Sequence, residues 1–164
     1  MSRRLLWTDD DGADWFVYEA HMLAAEGWEI CWARDVESAI ARLRDERFSA
    51  VVLDQMLPWR RGEAPAAEAV QIWGGCTVLW WLRQQRWPRA VPFPTRIRDQ
   101  PFWSSQPLAA NLNIPAILVS AFIDEQVEGV TRAASAADTN LEVLAKPVRL
   151  SDLQDFLRPI PDTP

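Results

Sequence analysis

Three consecutive aspartates, Asp9, Asp10 and Asp11, a fourth at Asp54, Ser120 and the single lysine, Lys146, are the residues of this 164-residue chain whose types suit a joint chemistry. Carboxylates gathered in one place repel one another and hold protons unless a cation sits among them. A hard divalent ion answers that need: Mg²⁺ takes oxygen ligands, keeps several waters and is typically held by one or two carboxylates and a phosphate. A serine hydroxyl and a lysine ammonium opposite such an ion hold phosphoryl oxygens, and a carboxylate can be the nucleophile that accepts the group. The chemistry implied is aspartyl phosphorylation. Each residue also has an ordinary explanation, as a loop cap, a turn hydroxyl or a solvated charge. Sixteen of the seventeen basic residues are arginine, so Lys146 either marks a place for a compact point charge or is what an arginine-rich composition left over.

Position along the chain weighs against coincidence. Leu5 to Thr8 is an apolar run that breaks into the three aspartates and Gly12, as a buried strand does where its carboxyl end opens into a loop. Trp15, Tyr18, Met22 and Ala25 recur at helical spacing, predicting a helix over 14–26 with Gly27 as its stop. Trp28 to Trp32 reads as a strand. Asp35 reads as the N-cap of a helix with Val36, Ala39, Ile40 and Leu43 inward. Phe48 to Leu53 is the strongest strand signal and ends at Asp54. Later come an apolar run from Ile114 to Val119 ending in Ser120, a helix over 124–137, and a strand from Leu141 to Ala145 that runs into Lys146-Pro147. A last helix opens at Ser151-Asp152-Leu153-Gln154, which has the form of a capping box. Five β-α units with near-continuous apolar strands predict a doubly wound, five-stranded parallel sheet. Ligands of such sheets bind beyond the carboxyl ends of the strands, where Asp9, Asp10, Asp54, Ser120 and Lys146 all fall.

The remaining composition narrows the class. The length suits one domain over 1–164, and no apolar run approaches the ~18 residues of a membrane span. The start carries no apolar segment long enough for a signal peptide, which points to the cytoplasm. A formal charge of −6 opposes general attraction to nucleic acid or to an anionic membrane. Cys31 and Cys76 are too few and too far apart for a disulfide framework or a zinc site and read as buried fillers. His21, the only histidine, lies in the first predicted helix and reads as a surface residue.

With these residues in place, the sequence resembles the receiver domain of bacterial two-component response regulators, a CheY-like, flavodoxin-like fold. Leu5 to Asp11 looks like that family's first strand and acidic pair. Val51-Val52-Leu53-Asp54-Gln55-Met56-Leu57-Pro58 looks like its phosphoacceptor strand and Met-Leu-Pro turn. The 44 residues from Asp10 to Asp54 are usual for it. Ile114 to Ala121 resembles the strand with the switch Ser/Thr and its small neighbour, and Leu144-Ala145-Lys146-Pro147 the lysine strand, whose Lys-Pro bond is commonly cis. The resemblance covers 3–58 and 113–158. It implies that Asp54 accepts phosphate from a histidine kinase or phosphotransfer protein. Mg²⁺, or Mn²⁺ in its place, would be bound by Asp10, Asp54 and the Met56 carbonyl, with Asp9 acting through water. Ser120 and the Ala121 amide would hold phosphoryl oxygens, and Lys146 would pair with the phosphate. Output would pass to a downstream protein target, since six residues follow Arg158. A phosphatase of the haloacid dehalogenase type resembles the chain less: its nucleophile comes first and is followed two residues on by another aspartate, where this chain has Met56.

Three features depart from that family. Asp54 and Ser120 are 66 residues apart where a simple receiver resembles about 30, leaving insertions near 59–73 and 86–112 around a third helix at Gly74 to Arg83. The second contains five prolines and predicts irregular or extended chain. An arginine run, Arg83, Arg86, Arg89, Arg96 and Arg98, is interleaved with Trp87 and Phe93. It reads as a nucleic-acid contact, as a protein-partner surface built on Arg86, Trp87, Phe93 and Trp103, or as aromatics pinning the insertion to its own domain. Val143 stands where receivers usually carry the aromatic switch. Met56 and Phe122, which flank the phosphoryl group in the family, are apolar and cannot orient water, so a long-lived aspartyl phosphate is expected. The alternative is a receiver-like interaction module that works without phosphate through the Trp/Arg insertion.

Overall fold

A computed structural model describes residues 3–60, 74–84, 104–121 and 138–161. The predicted helix at 124–137, most of both insertions, Phe122 and the candidate partner residues Arg86, Trp87, Phe93 and Trp103 lie outside them. Five strands, β1 (Arg3–Thr8), β2 (Trp28–Ala33), β3 (Ala50–Asp54), β4 (Ala116–Ser120) and β5 (Leu141–Ala145), form one sheet in the order β2-β1-β3-β4-β5, every pair parallel. The described helices are α1 (Gly12–Trp15), α2 (Val17–Ala25), α3 (Val36–Asp45), α4 (Gly74–Leu82) and α5 (Leu150–Leu157).

Strand alternation divides the core in two. Leu6, Val51, Leu53, Ala116 and Leu118 face α3 and α4, whereas Leu5, Trp7, Val52, Ile117 and Val119 face α2 and α5. Period-2 strands between two helical layers bury both faces, which is why β3 and β4 are buried at every residue. Helix α3 forms as its sequence dictates. Asp35 accepts the Ser38 N–H at 2.6 Å, and the Val36 and Glu37 amides donate to the Pro58 and Trp59 carbonyls, so the first turn leaves few orphan donors. Its Val36, Ala39, Ile40 and Leu43 are buried as the spacing predicts, and Ile40→Ala there would cost about 2–5 kcal/mol.

Four local expectations are corrected. The first helix breaks at Phe16 into α1 and α2, and its inward stripe is Phe16 and Leu23, not Trp15 and Tyr18, which are 77% and 64% exposed. Helix α5 begins at Leu150 with extended Arg149 as its N-cap, so Ser151 lies inside the helix and bonds Asp152 instead of closing a capping box. Strand β3 starts two residues after Phe48, whose N–H is taken by the buried Asn111 side chain. Strand β4 starts two residues after Ile114, whose carbonyl is taken by Arg83.

The ends of the inserted segments that are described pack on the domain. Trp59 lies against the α3/α4 core and Arg60 pairs with Glu37. Trp81 Nε1 donates to the Ser105 carbonyl, the Leu108 N–H donates to the Leu43 carbonyl, and Asn111 Nδ2 donates to the carbonyls of Leu43 and Glu46. Arg83, read with the exposed arginine run, is instead buried: its guanidinium meets Asp138 at 2.6 Å and donates to the Leu112 and Ile114 carbonyls.

Candidate functional site

The parallel register delivers the candidate residues to one rim. β1 ends at Thr8, and the Asp9 N–H extends its ladder to the Ala33 carbonyl at 3.1 Å. Asp54 closes β3 opposite Val119, and the next amide, of Gln55, donates to the Val119 carbonyl at 2.8 Å. Ser120 closes β4 opposite Ala145, and the Lys146 N–H donates to the Ser120 carbonyl at 2.8 Å before a cis bond to Pro147. Ladder hydrogen bonds thus fix every one of these chain positions except Asp10.

At that rim Lys146 Nζ lies 3.0 Å from Asp54 Oδ2 and 3.2 Å from Asp9 Oδ2. Carboxylate oxygens of Asp9, Asp10 and Asp54 all fall within 4.8 Å of one another. Asp9 and Asp54 are buried and Asp10 is exposed, so the cluster is open on one side. Burial pushes the Asp54 carboxyl above the ordinary carboxylate range; Lys146 and the Met56 amide, which donates to Asp54 Oδ1 at 3.2 Å, pull it partly back. Partial burial, then the neighbouring Asp9 and Asp11, push Asp10 upward too. Burial alone would lower Lys146, but Asp54 and Asp9 hold its ammonium above its ordinary value. A donor set of three converging carboxylates, two of them resisting ionisation and met by one ammonium among the described residues, suits a further cation.

Ser120 is buried at the end of β4, and Ala121 beside it is exposed. Val143, opposite Leu118 in the β4–β5 register, is exposed by 37%. Other contributors were not visible from residue type. Thr8 Oγ1 accepts the Asp54 N–H at 3.0 Å, tying two strand ends together. Gly75, at the start of α4, sits so close that a Cβ there would lie 2.4 Å from the Asp54 carbonyl oxygen. Only a bare residue lets the helix approach the strand that closely. A polar Thr ending an apolar run and the Gly74-Gly75 pair opening a helix were the available signals.

No family model matches the sequence, and no curated protein sequence does. Solved structures do match in shape. A CheY-like response regulator receiver domain protein from Methanospirillum hungatei JF-1 aligns over 97% of this chain and 93% of its own, with a TM-score of 0.58 at 18% identity. The receiver domain of a Francisella response regulator aligns over 96% and 95%, with a TM-score of 0.61 at 17% identity. The fold is that of receiver domains. A third match, the receiver domain of a sensor histidine kinase from Pseudomonas aeruginosa PAO1, covers 98% of both chains at 19% identity with a TM-score of 0.57; that structure has a magnesium ion coordinated in its active-site cleft. In this receiver fold the acidic cluster of Asp9, Asp10 and Asp54 is a set that could hold a metal. No described helix is long and apolar enough to cross a membrane.

Proposed function

We propose that the chain is a single receiver domain over 1–164, acting in the cytoplasm as a response regulator that takes a phosphoryl group on Asp54 from a histidine kinase or phosphotransfer protein. The observation that carries this reading is the contact of Lys146 Nζ with both Asp54 and Asp9, with Asp10 completing the carboxylate cluster. Asp9, Asp10, Asp54 and the Met56 carbonyl would hold Mg²⁺, or Mn²⁺ in its place. The ion supplies charge neutralisation for incoming phosphoryl oxygens.

In the transfer, Asp54 Oδ forms a bond to phosphorus as the donor's P–N bond breaks, and the imidazole leaves with the electron pair. Lys146 turns its ammonium from the Asp54 carboxylate to a phosphoryl oxygen, while the Ser120 hydroxyl and the Ala121 amide donate to the others. The domain is consumed and regenerated as a phosphoacceptor and is not a turnover enzyme. Its output is association with a downstream protein target. A two-state equilibrium biased by the phosphoryl group would change affinity for that target.

The test is modification by a small phosphodonor such as acetyl phosphate, followed by mass spectrometry. The expected result is one Mg²⁺-dependent phosphoryl group that Asp54→Asn abolishes; labelling of Asp54→Asn at the wild-type level would sink the reading.

A second reading is favoured by one observation. Val143 is non-aromatic and exposed, so β5 lacks the side chain that would carry a ring inward. The domain would then be an interaction module independent of phosphate. Beryllofluoride with Mg²⁺ separates the two: amide shifts around Ser120 support the first, and none at saturating reagent supports the second.

A further inference from the structure

Gly12 follows the acidic run and opens α1, and its surroundings leave no room for a side chain. A Cβ there would lie 2.6 Å from the Trp32 ring and 2.7 Å from Asp9 Cβ. Trp32, partly buried, is stacked on Trp7 with ring centroids 5.1 Å apart, and Trp7 is packed in turn against Phe16 at 5.0 Å, so movement of the ring disturbs both contacts. Asp9 is held by hydrogen bonds alone: its Oδ1 accepts the Asp11 N–H at 3.1 Å, its Oδ2 accepts from Lys146, and its own N–H extends the ladder to Ala33. The loop backbone therefore lies wedged between an aromatic stack and a carboxylate that belongs to the cluster.

We propose that Gly12 and the Trp32 ring packed on it are positioning residues for the cation site. The bare backbone at residue 12 lets the acidic loop rest against the ring, and that contact sets where the Asp9 carboxylate points. Neither residue touches the ion; both act through Asp9. The inference rests on the reading of Asp9, Asp10 and Asp54 as cation ligands. A methyl at residue 12 has two ways to find space, displacing the ring or displacing Asp9, and with the ring stacked on Trp7 part of the displacement falls on Asp9. Removing the ring should restore the first way.

Wild type, Gly12→Ala, Trp32→Leu and the double mutant are compared by Mg²⁺ titration followed through amide NMR shifts. The Asp11 amide cross-peak is also recorded in metal-free protein, where it reports the hydrogen bond to Asp9. Gly12→Ala is expected to weaken Mg²⁺ binding about tenfold or more, in the range usual for lost support of a metal ligand, and to move the metal-free Asp11 cross-peak. Adding Trp32→Leu recovers both, an outcome that general loss of packing would not produce. Binding by Gly12→Ala within about twofold of wild type, or a double mutant no better than Gly12→Ala, overturns the proposal. If Gly12→Ala does not fold, the double mutant is compared with Trp32→Leu alone, and a loss beyond about fivefold between those two overturns it. A wild type with no saturable response to Mg²⁺ refutes the cation-site reading instead, and the metal-free Asp11 cross-peak then decides the positioning claim by itself.

Discussion

Two demands oppose each other at Asp54, since burial favours its protonated form and the nucleophilic attack proposed for it needs the carboxylate. Lys146 and the Met56 amide supply part of the compensation, and the side toward Asp10 is open to a cation that could supply the rest. The same conflict at Asp10 sets a pH dependence. Its folded-state value is raised by partial burial and by Asp9 and Asp11, so the native state binds the proton more tightly than the unfolded chain does. Stability from this group therefore falls as pH rises from the ordinary carboxylate value through the raised one. Asp10→Asn removes that loss. In EDTA it should melt above wild type at pH 7, with the difference vanishing in acid where both side chains are neutral; thermal unfolding across pH measures it, and no difference at pH 7 would contradict the repulsion. Met56, partly buried beside Asp54, offers no donor and only a weak thioether acceptor in its side chain, too little to orient a water on phosphorus. The aspartyl phosphate is therefore expected to be long-lived, and Met56→Asn to shorten it. Following phosphoprotein decay in Mg²⁺ checks both, with loss from wild type within seconds as the contrary result.

Among the elements, α4 is buried at every residue from Gly74 to Leu82, and its end is clamped by Arg83. That guanidinium bonds Asp138 and the carbonyls of Leu112 and Ile114, joining the helix to the segments that lead into β4 and β5. Both partners of the pair are almost fully shielded, so Arg83→Ala strands a carboxylate and two carbonyls. A cost of about 3–5 kcal/mol is expected, read from urea unfolding midpoints, and a change below about 1 kcal/mol would mean that the pair is solvated after all. Arg83 also shows where legibility ends. Strand runs, the Asp35 cap and the aspartates at strand ends were readable because local pattern and tertiary role coincide there. The sequence around Arg83 reads as a basic run, and the approach of Asp138, 55 residues away, with the carbonyls of Leu112 and Ile114 makes it structural. The first helix failed for a related reason. Trp15-Tyr18-Met22 and Phe16-Leu23 are both helical stripes, one residue out of phase, and the break at Phe16 together with packing against Trp7 selects the less conspicuous one. Gly12 was silent, and the Gly74-Gly75 pair only a faint signal, because what matters at Gly12 and Gly75 is a neighbour brought close by the fold.

At the scale of the whole molecule, the carboxylate cluster and Lys146 join loops leaving β1, β3 and β5, whose side chains feed both halves of the core. A ligand that needs Asp9, Asp10 and Asp54 together finds them assembled only in the folded chain. Binding must then stabilise the entire domain by linkage, by about 2.7 kcal/mol when the free ion is a hundredfold above its dissociation constant. The urea midpoint should accordingly rise with the logarithm of Mg²⁺ concentration while the slope of the transition stays constant. Asp9→Asn with Asp10→Asn should flatten that dependence. Trp15→Ala should leave it intact, because the Trp15 side chain is exposed and has no described contact with the cluster. A magnesium-linked gain that survives loss of both carboxylates would place the ion elsewhere on the molecule, and the rim of the sheet would then be a salt-bridge cluster instead of a site.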